Sequence, residues 1–231
     1  MKKPGISGLY FLIGIMSIIL QNQSSFYPEL IVKALIMPML MILFLKKLNP
    51  LKHRLHALMF MGLFFSWAGD VVLEFSKNNG NMFLLGLVCF LLTHIMYLTI
   101  FFITPGKNSI LSNRIYLLLP VIIYGVILVF YLYPDLADMR LPVMLYAIVI
   151  LTMLTGAINR KEKVDRGSYY LVLTGAILFV ISDSVIAVNK FSHPFASSGI
   201  VIMSTYIVAQ YLIVAGYIYQ FSSIKPDQIS R

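Results

Sequence analysis

Eight apolar runs divide this sequence, and their length sets what the chain can fold into. A helix rises about 1.5 Å per residue, so about 20 apolar residues cross the roughly 30 Å hydrocarbon core of a bilayer. Of the 231 residues, 59% are hydrophobic and only 12% are charged, too few to give a domain of this size a polar surface. The sequence therefore predicts an all-α polytopic membrane protein. The runs lie near Ile6–Gln21, Leu30–Leu45, His56–Phe75, Met82–Ile103, Ile115–Tyr133, Leu141–Ile158, Tyr169–Asn189 and Gly199–Gln220.

The basic residues collect on one side of these runs. Short cytoplasmic loops of membrane proteins hold an excess of Lys and Arg. Of the 18 basic residues, 14 fall on the same side, which predicts cytoplasmic termini and a multi-pass protein of a bacterial inner membrane. Because the net charge of +9 lies in these loops and not on one folded face, nucleic-acid binding is not expected. The 14 residues are Lys2, Lys3, Lys46, Lys47, Lys52, Arg54, Lys107, Arg114, Arg160, Lys161, Lys163, Arg166, Lys225 and Arg231.

A weak internal repeat relates the third run to the seventh. The segment Gly62–Asp70 aligns with Gly175–Asp183 at an offset of 113 residues, close to half of the chain. Four helices in each half would enter the membrane in the same direction, so the repeat axis would lie along the membrane normal. We expect a single transmembrane domain over residues 1–231, made of two parallel four-helix repeats. The halves are expected at about 1–110 and 111–225.

Two carboxylates, Asp70 and Asp183, lie well inside the predicted helices at these matched positions. A carboxylate in hydrocarbon costs at least a few kcal/mol, so such an acid normally faces protein or a watered cavity and has a function. Lys33 lies on the second run, opposite Tyr146 under the repeat offset, and can reach a carboxylate at similar depth. We interpret the two aspartates as catalytic candidates. A structural acid pair, satisfied by Lys33 and hydroxyl groups, is the alternative.

Small and polar residues recur at three- or four-residue spacing on three predicted helices. Side chains at this spacing share one helix face, so we expect these stripes to converge around one cavity. The stripes are Gly62, Ser66, Asp70 and Glu74; Gly86, Phe90, His94 and Tyr97; and Tyr206, Gln210 and Tyr217. Glu74 lies near the outer end of its run, where solvation is the alternative to a role in the site. His53, His56 and His193 are expected at the membrane interfaces.

The sequence lacks the motifs of several common catalytic sites. It contains no Gly-x-Ser-x-Gly elbow, no His-Glu-x-x-His pair and no phosphate-binding loop. Only His94 lies deep within a run and Cys89 is the single cysteine, so we expect no metal site, no internal disulfide and no cofactor. Two carboxylates in a pocket of low dielectric remain, and such a pair suits general acid and base chemistry.

The order and spacing of several short motifs are more specific than any one of them. The motifs are Lys33–Pro38; Gly69 and Asp70 followed by Leu73; Gly86, Phe90, His94 and Tyr97; Ser182 and Asp183 leading to Ala187 and Phe191; and Tyr206 with Gln210. Together, from about Lys33 to Gly216, they resemble the YhhN-like lysoplasmalogenase family. The resemblance implies an eight-helix membrane enzyme whose two aspartates carry over to Asp70 and Asp183. One departure is Ala34, where the family often has Pro.

The resemblance also implies a reaction, hydrolysis of the vinyl ether bond of a lysoplasmalogen. The products would be a fatty aldehyde and glycerophosphoethanolamine or glycerophosphocholine. One aspartate would protonate the β-carbon and the other, ionised, would stabilise the resulting oxocarbenium ion; their order stays open. The residues expected to bind the single-chain lipid or tune the pair are Lys33, His94, Tyr97, Tyr146, Tyr206, Gln210 and Glu74.

Two other classes of function fit an intramembrane acid pair. A proton-coupled carrier of a small solute or lipid also uses such acids, and often a repeat. A non-catalytic membrane receptor or scaffold is the third class, although the short loops offer no soluble interaction surface and indicate no protein partner. Of the three classes, the sequence favours the hydrolase.

Overall fold

Eight long helices make up most of the described chain and confirm the predicted all-α, multi-pass architecture. The computed structural model describes residues 5–21, 26–76, 80–106 and 110–222. The helices are α1 (Ile6–Leu20), α2 (Phe26–Leu45), α3 (Arg54–Phe75), α4 (Gly80–Ile103), α5 (Leu119–Leu132), α6 (Arg140–Asn159), α7 (Arg166–Ala187) and α8 (Ser198–Ser222). Seven spans are long and apolar enough to cross a bilayer, whereas α1 has only 15 residues. Five of the basic residues used to predict orientation lie outside the described residues: Lys2, Lys3, Lys107, Lys225 and Arg231.

The helix ends follow local sequence signals, so the predicted runs match the helices to within a few residues. The side chain of Asp165 accepts a hydrogen bond from a backbone N–H at the start of α7. His53 caps α3 in the same way. Pro120 lies in the first turn of α5, where a missing N–H costs nothing. Short 3₁₀ turns flank α5 and extend its span to Ile115–Asp135.

Seven of the helices form a closed circuit, in which α1, α2, α3, α4, α6, α7 and α8 each pack on the next and α8 returns to α1. The closest packing joins α3 to α4 and α7 to α8, the two pairs that the predicted repeat would superimpose. Helix α5 lies outside the circuit and packs mainly on α6. Only 11% of its span is buried, against 28% to 44% for the other six. Helix α5 is therefore the peripheral element of the bundle.

Glycines allow α7 and α8 to approach closely. A Cβ atom on Gly175 would lie 2.8 Å from the carbonyl oxygen of Ala209 and 3.0 Å from the backbone nitrogen of Ile213. A Cβ atom on Gly216 would lie 3.0 Å from the carbonyl oxygen of Ser168. These neighbours are backbone atoms, which cannot rotate away as a side chain can. Small residues thus set the distance between the two helices, as is common in membrane bundles.

We expect Gly175→Val to lower the unfolding temperature of the detergent-purified protein, because the new side chain forces the backbones of α7 and α8 apart. Overpacking of this kind costs about 1–3 kcal/mol. The matched control is Gly5→Val, since a Cβ atom at Gly5 meets nothing within 4 Å. Thermal unfolding followed by circular dichroism measures both variants, and equal unfolding temperatures would contradict this account of the α7–α8 contact.

Candidate functional site

Asp183 on α7 lies in a hydrogen-bonded group with His94 of α4 and Tyr146 of α6, here called the Asp183 cluster. Asp183 Oδ2 lies 3.0 Å from His94 Nε2, and the Tyr146 hydroxyl donates to the same oxygen. Among the described residues, His94 Nδ1 has no hydrogen-bond partner, which favours the tautomer that carries its proton on Nε2. The N–H of His94 and the O–H of Tyr146 then both donate to Oδ2. This leaves Oδ1 as the oxygen available to another molecule.

The Asp183 cluster lines two small cavities. One lies towards α4, has a volume of about 50 Å³ and is walled by Phe83, Phe90 and Phe191 among others. The other lies towards α5 and has a volume of about 40 Å³. Each has room for a few water molecules. The side chain of Asp183 is 10% exposed, so this acid is buried in the bundle but reaches open space.

Asp70 occupies the matching position on α3 but lies in a different environment. The Tyr206 hydroxyl of α8 donates to Asp70 Oδ2 at 2.8 Å. Asp70 is 4% exposed and lines neither of the two cavities at Asp183. Asp70 is thus the more deeply buried of the two aspartates, and of the two only Asp183 borders either cavity.

Two phenylalanines fill the space between the partners of the two aspartates. The ring of Phe179 lies 4.7 Å from that of His94 and 5.6 Å from that of Tyr206, both edge to face. Phe90 packs against Tyr206 and Phe179 in the same manner. Gly69 permits this arrangement, because a Cβ atom there would lie 2.7 Å from the Phe90 ring. The apolar wall keeps the environment of the two acids at low dielectric.

Tyr97 and Gln210 bind each other in the centre of the bundle. The Tyr97 hydroxyl donates to Gln210 Oε1 at 2.8 Å, and Gln210 Nε2 donates to Ser66 Oγ at 2.8 Å. Ser66 in turn donates to Thr93 at 3.2 Å. The offset between Tyr97 and Gln210 is 113 residues, so the predicted repeat would exchange the two partners of this bond. Both side chains, predicted to bind substrate or water, are already satisfied by the protein.

Lys33 pairs with Glu74 and not with an aspartate. Its Nζ lies 3.2 Å from Glu74 Oε2, and the side chain of Glu74 is 1% exposed, so the alternative in which Glu74 is solvated is wrong. The pair lines a cavity of about 330 Å³ together with Glu29, Lys190 and neighbouring residues. We call this cavity the polar vestibule. It shares Leu73 with the Asp183 cavity on the α4 side.

One other expectation from the sequence, that the three stripes converge around one cavity, is corrected by the structure. In the first turn of α3, His56 is buried against α8, and its Nδ1 lies 2.8 Å from the Tyr217 hydroxyl. Tyr217, which shares a stripe with Tyr206 and Gln210, therefore lies at the other end of α8 from the aspartates. Phe179 was missed as a wall of the site, because a phenylalanine in an apolar helix carries no distinguishing signal. Among the described residues, no group of three His, Cys, Asp or Glu side chains is arranged to hold a metal ion.

The sequence matches a known protein family and several of its named members. The sequence model of the YhhN family matches residues 29–217, most of the chain. A bovine (Bos taurus) protein named lysoplasmalogenase TMEM86A is 33% identical over 182 residues, which cover 74% of this chain and 70% of the relative. A porcine (Sus scrofa) lysoplasmalogenase TMEM86B is 33% identical over 145 residues, 63% of this chain and 58% of the relative. The human (Homo sapiens) lysoplasmalogenase TMEM86A is 34% identical over 164 residues, 67% of this chain and 62% of the relative.

The alignments thus span 58% to 70% of the length of these three relatives. No solved structure matches the chain. The matched region begins just before Lys33 and ends at Tyr217, so it contains both aspartates and every side chain of the Asp183 cluster.

We expect Lys33→Met to destabilise the protein by about 2 kcal/mol, because it removes the ammonium group that lies 3.2 Å from the buried carboxylate of Glu74. The double variant Lys33→Met/Glu74→Gln should recover most of this loss, since it removes the buried charge as well. Lys161→Met, on an exposed loop residue, is the control. Unfolding in detergent measures all three. If the double variant is less stable than Lys33→Met, the ion pair between Lys33 and Glu74 does not explain the loss of stability.

Proposed function

The chain belongs to the YhhN family, and from this premise we propose that it is a membrane-embedded hydrolase that cleaves the vinyl ether bond of lysoplasmalogens. The products would be a fatty aldehyde and glycerophosphoethanolamine or glycerophosphocholine. Relatives named lysoplasmalogenase support the reaction. The observation that carries the proposal is the Asp183 cluster, an intramembrane acid that borders a cavity with one of its oxygens left for a substrate.

Asp183 is the proposed proton donor. With a proton on Oδ1, its other oxygen accepts the hydrogen bonds of His94 and Tyr146, as the carbonyl oxygen of a carboxylic acid does. Transfer of the proton to the β-carbon of the vinyl ether leaves a carboxylate on Asp183. The same two donors then stabilise the new negative charge, and they are already in place before the reaction.

Protonation of the β-carbon turns the vinyl ether into an oxocarbenium ion. Asp70, which accepts a hydrogen bond from the Tyr206 hydroxyl, is the proposed anion that stabilises this cation through space. The Asp183 carboxylate then takes a proton from a water molecule as that water attacks the cationic carbon. The resulting hemiacetal breaks its bond to the glycerol oxygen, which leaves with a proton, and the aldehyde is released. One water is consumed and Asp183 regains its proton.

The membrane location fits a substrate with a single chain. The acid lies among helices that cross the bilayer, so a lipid can reach it without leaving the membrane. The low dielectric around Phe90 and Phe179 strengthens the interaction of the cation with Asp70.

We expect Asp183→Asn and Asp70→Asn each to lower aldehyde release from a lysoplasmalogen by about 10²–10⁴-fold, because each removes a charge or proton that the reaction uses. The amide has the size of the acid and preserves an acceptor for Tyr146 or Tyr206. Asp135→Asn, on an exposed turn, is the matched control and should retain wild-type activity.

Mass spectrometry of aldehyde and headgroup products measures the loss, and gel filtration confirms that each variant stays folded. Full activity in either folded variant would rule out that aspartate as a catalytic group. A proton-coupled carrier predicts a different result, namely movement of the lipid across sealed vesicles with no aldehyde formed.

A further inference from the structure

An apolar groove on the outside of the bundle leads towards Asp183. It lies between α5 and α6, has a volume of about 720 Å³ and is walled by exposed side chains such as Phe130 and Ile148. Ala147 and Leu151 line both this groove and the small cavity on the α5 side of Asp183. The groove and that cavity are therefore neighbours, separated only by the side chains they share.

The polar vestibule adjoins the second small cavity at Asp183. The cavity on the α4 side of Asp183 shares Leu73, Phe83 and Ile186 with the vestibule. Lys190 borders the vestibule with its Nζ 4.9 Å from the centre of the Phe83 ring. Asp183 thus lies between an apolar groove on the outside of the bundle and a polar cavity lined by two lysines and two glutamates, Lys33, Lys190, Glu29 and Glu74. Because Lys33 is paired with Glu74, the exposed Lys190 is the ammonium group left to bind an anion there.

A lysoplasmalogen also has one apolar end and one polar end. In a lysoplasmalogen the vinyl ether joins a hydrocarbon chain on one side to a glycerophosphate headgroup on the other. We infer that the lipid lies across Asp183, with its chain in the α5–α6 groove and its phosphate in the polar vestibule. This inference rests on the proposed function, and it adds the orientation of the substrate and the residues that select its two ends.

Helix α5 can accommodate such a ligand more readily than any helix of the circuit. It packs mainly on α6, and its Tyr124 hydroxyl donates to Ser184 of α7 at 2.7 Å. The cavities at Asp183 are narrow, so a chain can reach the acid only if their shared walls separate. Displacing α5 breaks fewer contacts than displacing a helix with neighbours on two sides.

Ala147→Phe tests the chain position, because a phenyl ring there fills the passage between the groove and the Asp183 cavity. We expect the variant to lose about tenfold or more of kcat/KM for a hexadecenyl lysoplasmalogen, yet to cleave a butenyl analogue with the same headgroup nearly as well as the wild type. Leu145→Phe is the matched control, since Leu145 is exposed on α6 and lines none of these cavities. Equal losses for the two chain lengths, or no loss for the long chain, would overturn the inference.

A photoreactive substrate gives a second measurement that does not require Ala147→Phe to fold. The Asp183→Asn variant is incubated with a lysoplasmalogen that carries a diazirine at the end of its chain, and the labelled peptides are identified after irradiation. We expect labels on α5 and α6 that excess unlabelled lipid removes. Labels spread over all lipid-facing helices without competition would place the chain elsewhere.

Lys190→Gln tests the headgroup position. We expect KM to rise several-fold for the lysoplasmalogen and to stay unchanged for the corresponding alkenylglycerol, which has the vinyl ether but no phosphate. Lys161→Gln removes a lysine at a distance from the vestibule and serves as the control. A KM that rises equally for both substrates would show that Lys190 does not recognise the phosphate.

These outcomes are separable from failure of the proposed function. If the wild-type protein releases no aldehyde from any vinyl ether, the hydrolase itself is wrong. If the wild type is active and neither chain length nor phosphate distinguishes the variants, the hydrolase stands and the orientation is wrong.

Discussion

Every carboxylate inside this bundle needs a hydrogen-bond donor from another helix, and that requirement determines which helices meet. No water is available in hydrocarbon to satisfy a buried acid, so the partner must come from the protein. The bond from Tyr206 to Asp70 joins α8 to α3, and the Asp183 cluster joins α7 to α4 and α6. The bonds from Tyr97 to Gln210 and from Gln210 to Ser66 add α4 to the contact between α8 and α3.

Helix number and approximate bounds were predictable, because the length of an apolar run is nearly sufficient to define a membrane helix. The burial of Asp70, His94 and Gln210 was predictable as well, since their spacing puts them on inward faces. The individual partners were not. Periodicity gives the inward face of one helix but neither the depth nor the rotation of its neighbour. The pairing of Lys33 with Glu74 and of His56 with Tyr217 therefore could not be predicted. The apolar side chains that complete the two Asp183 cavities carry no polar signal that could have identified them.

The two aspartates are placed alike along the chain but differ in what surrounds them. Under the predicted repeat, Lys33 of the polar vestibule corresponds to Tyr146 of the Asp183 cluster, and Leu73 corresponds to Ile186. Leu73 and Ile186 each line both the vestibule and the adjoining Asp183 cavity. Both halves of the chain thus contribute residues to the vestibule and to the adjoining Asp183 cavity. The positions that the predicted repeat would match differ in chemistry, with a lysine in one half and a tyrosine in the other.

The opposite character of the groove and the vestibule has a consequence for turnover. A long-chain aldehyde dissolves in lipid, whereas a glycerophosphodiester dissolves in water. In the proposed orientation each product is formed next to the phase that dissolves it, so the two diffuse apart into different compartments. Their joint return to Asp183 then becomes rare, so inhibition of the enzyme by its own products is weak.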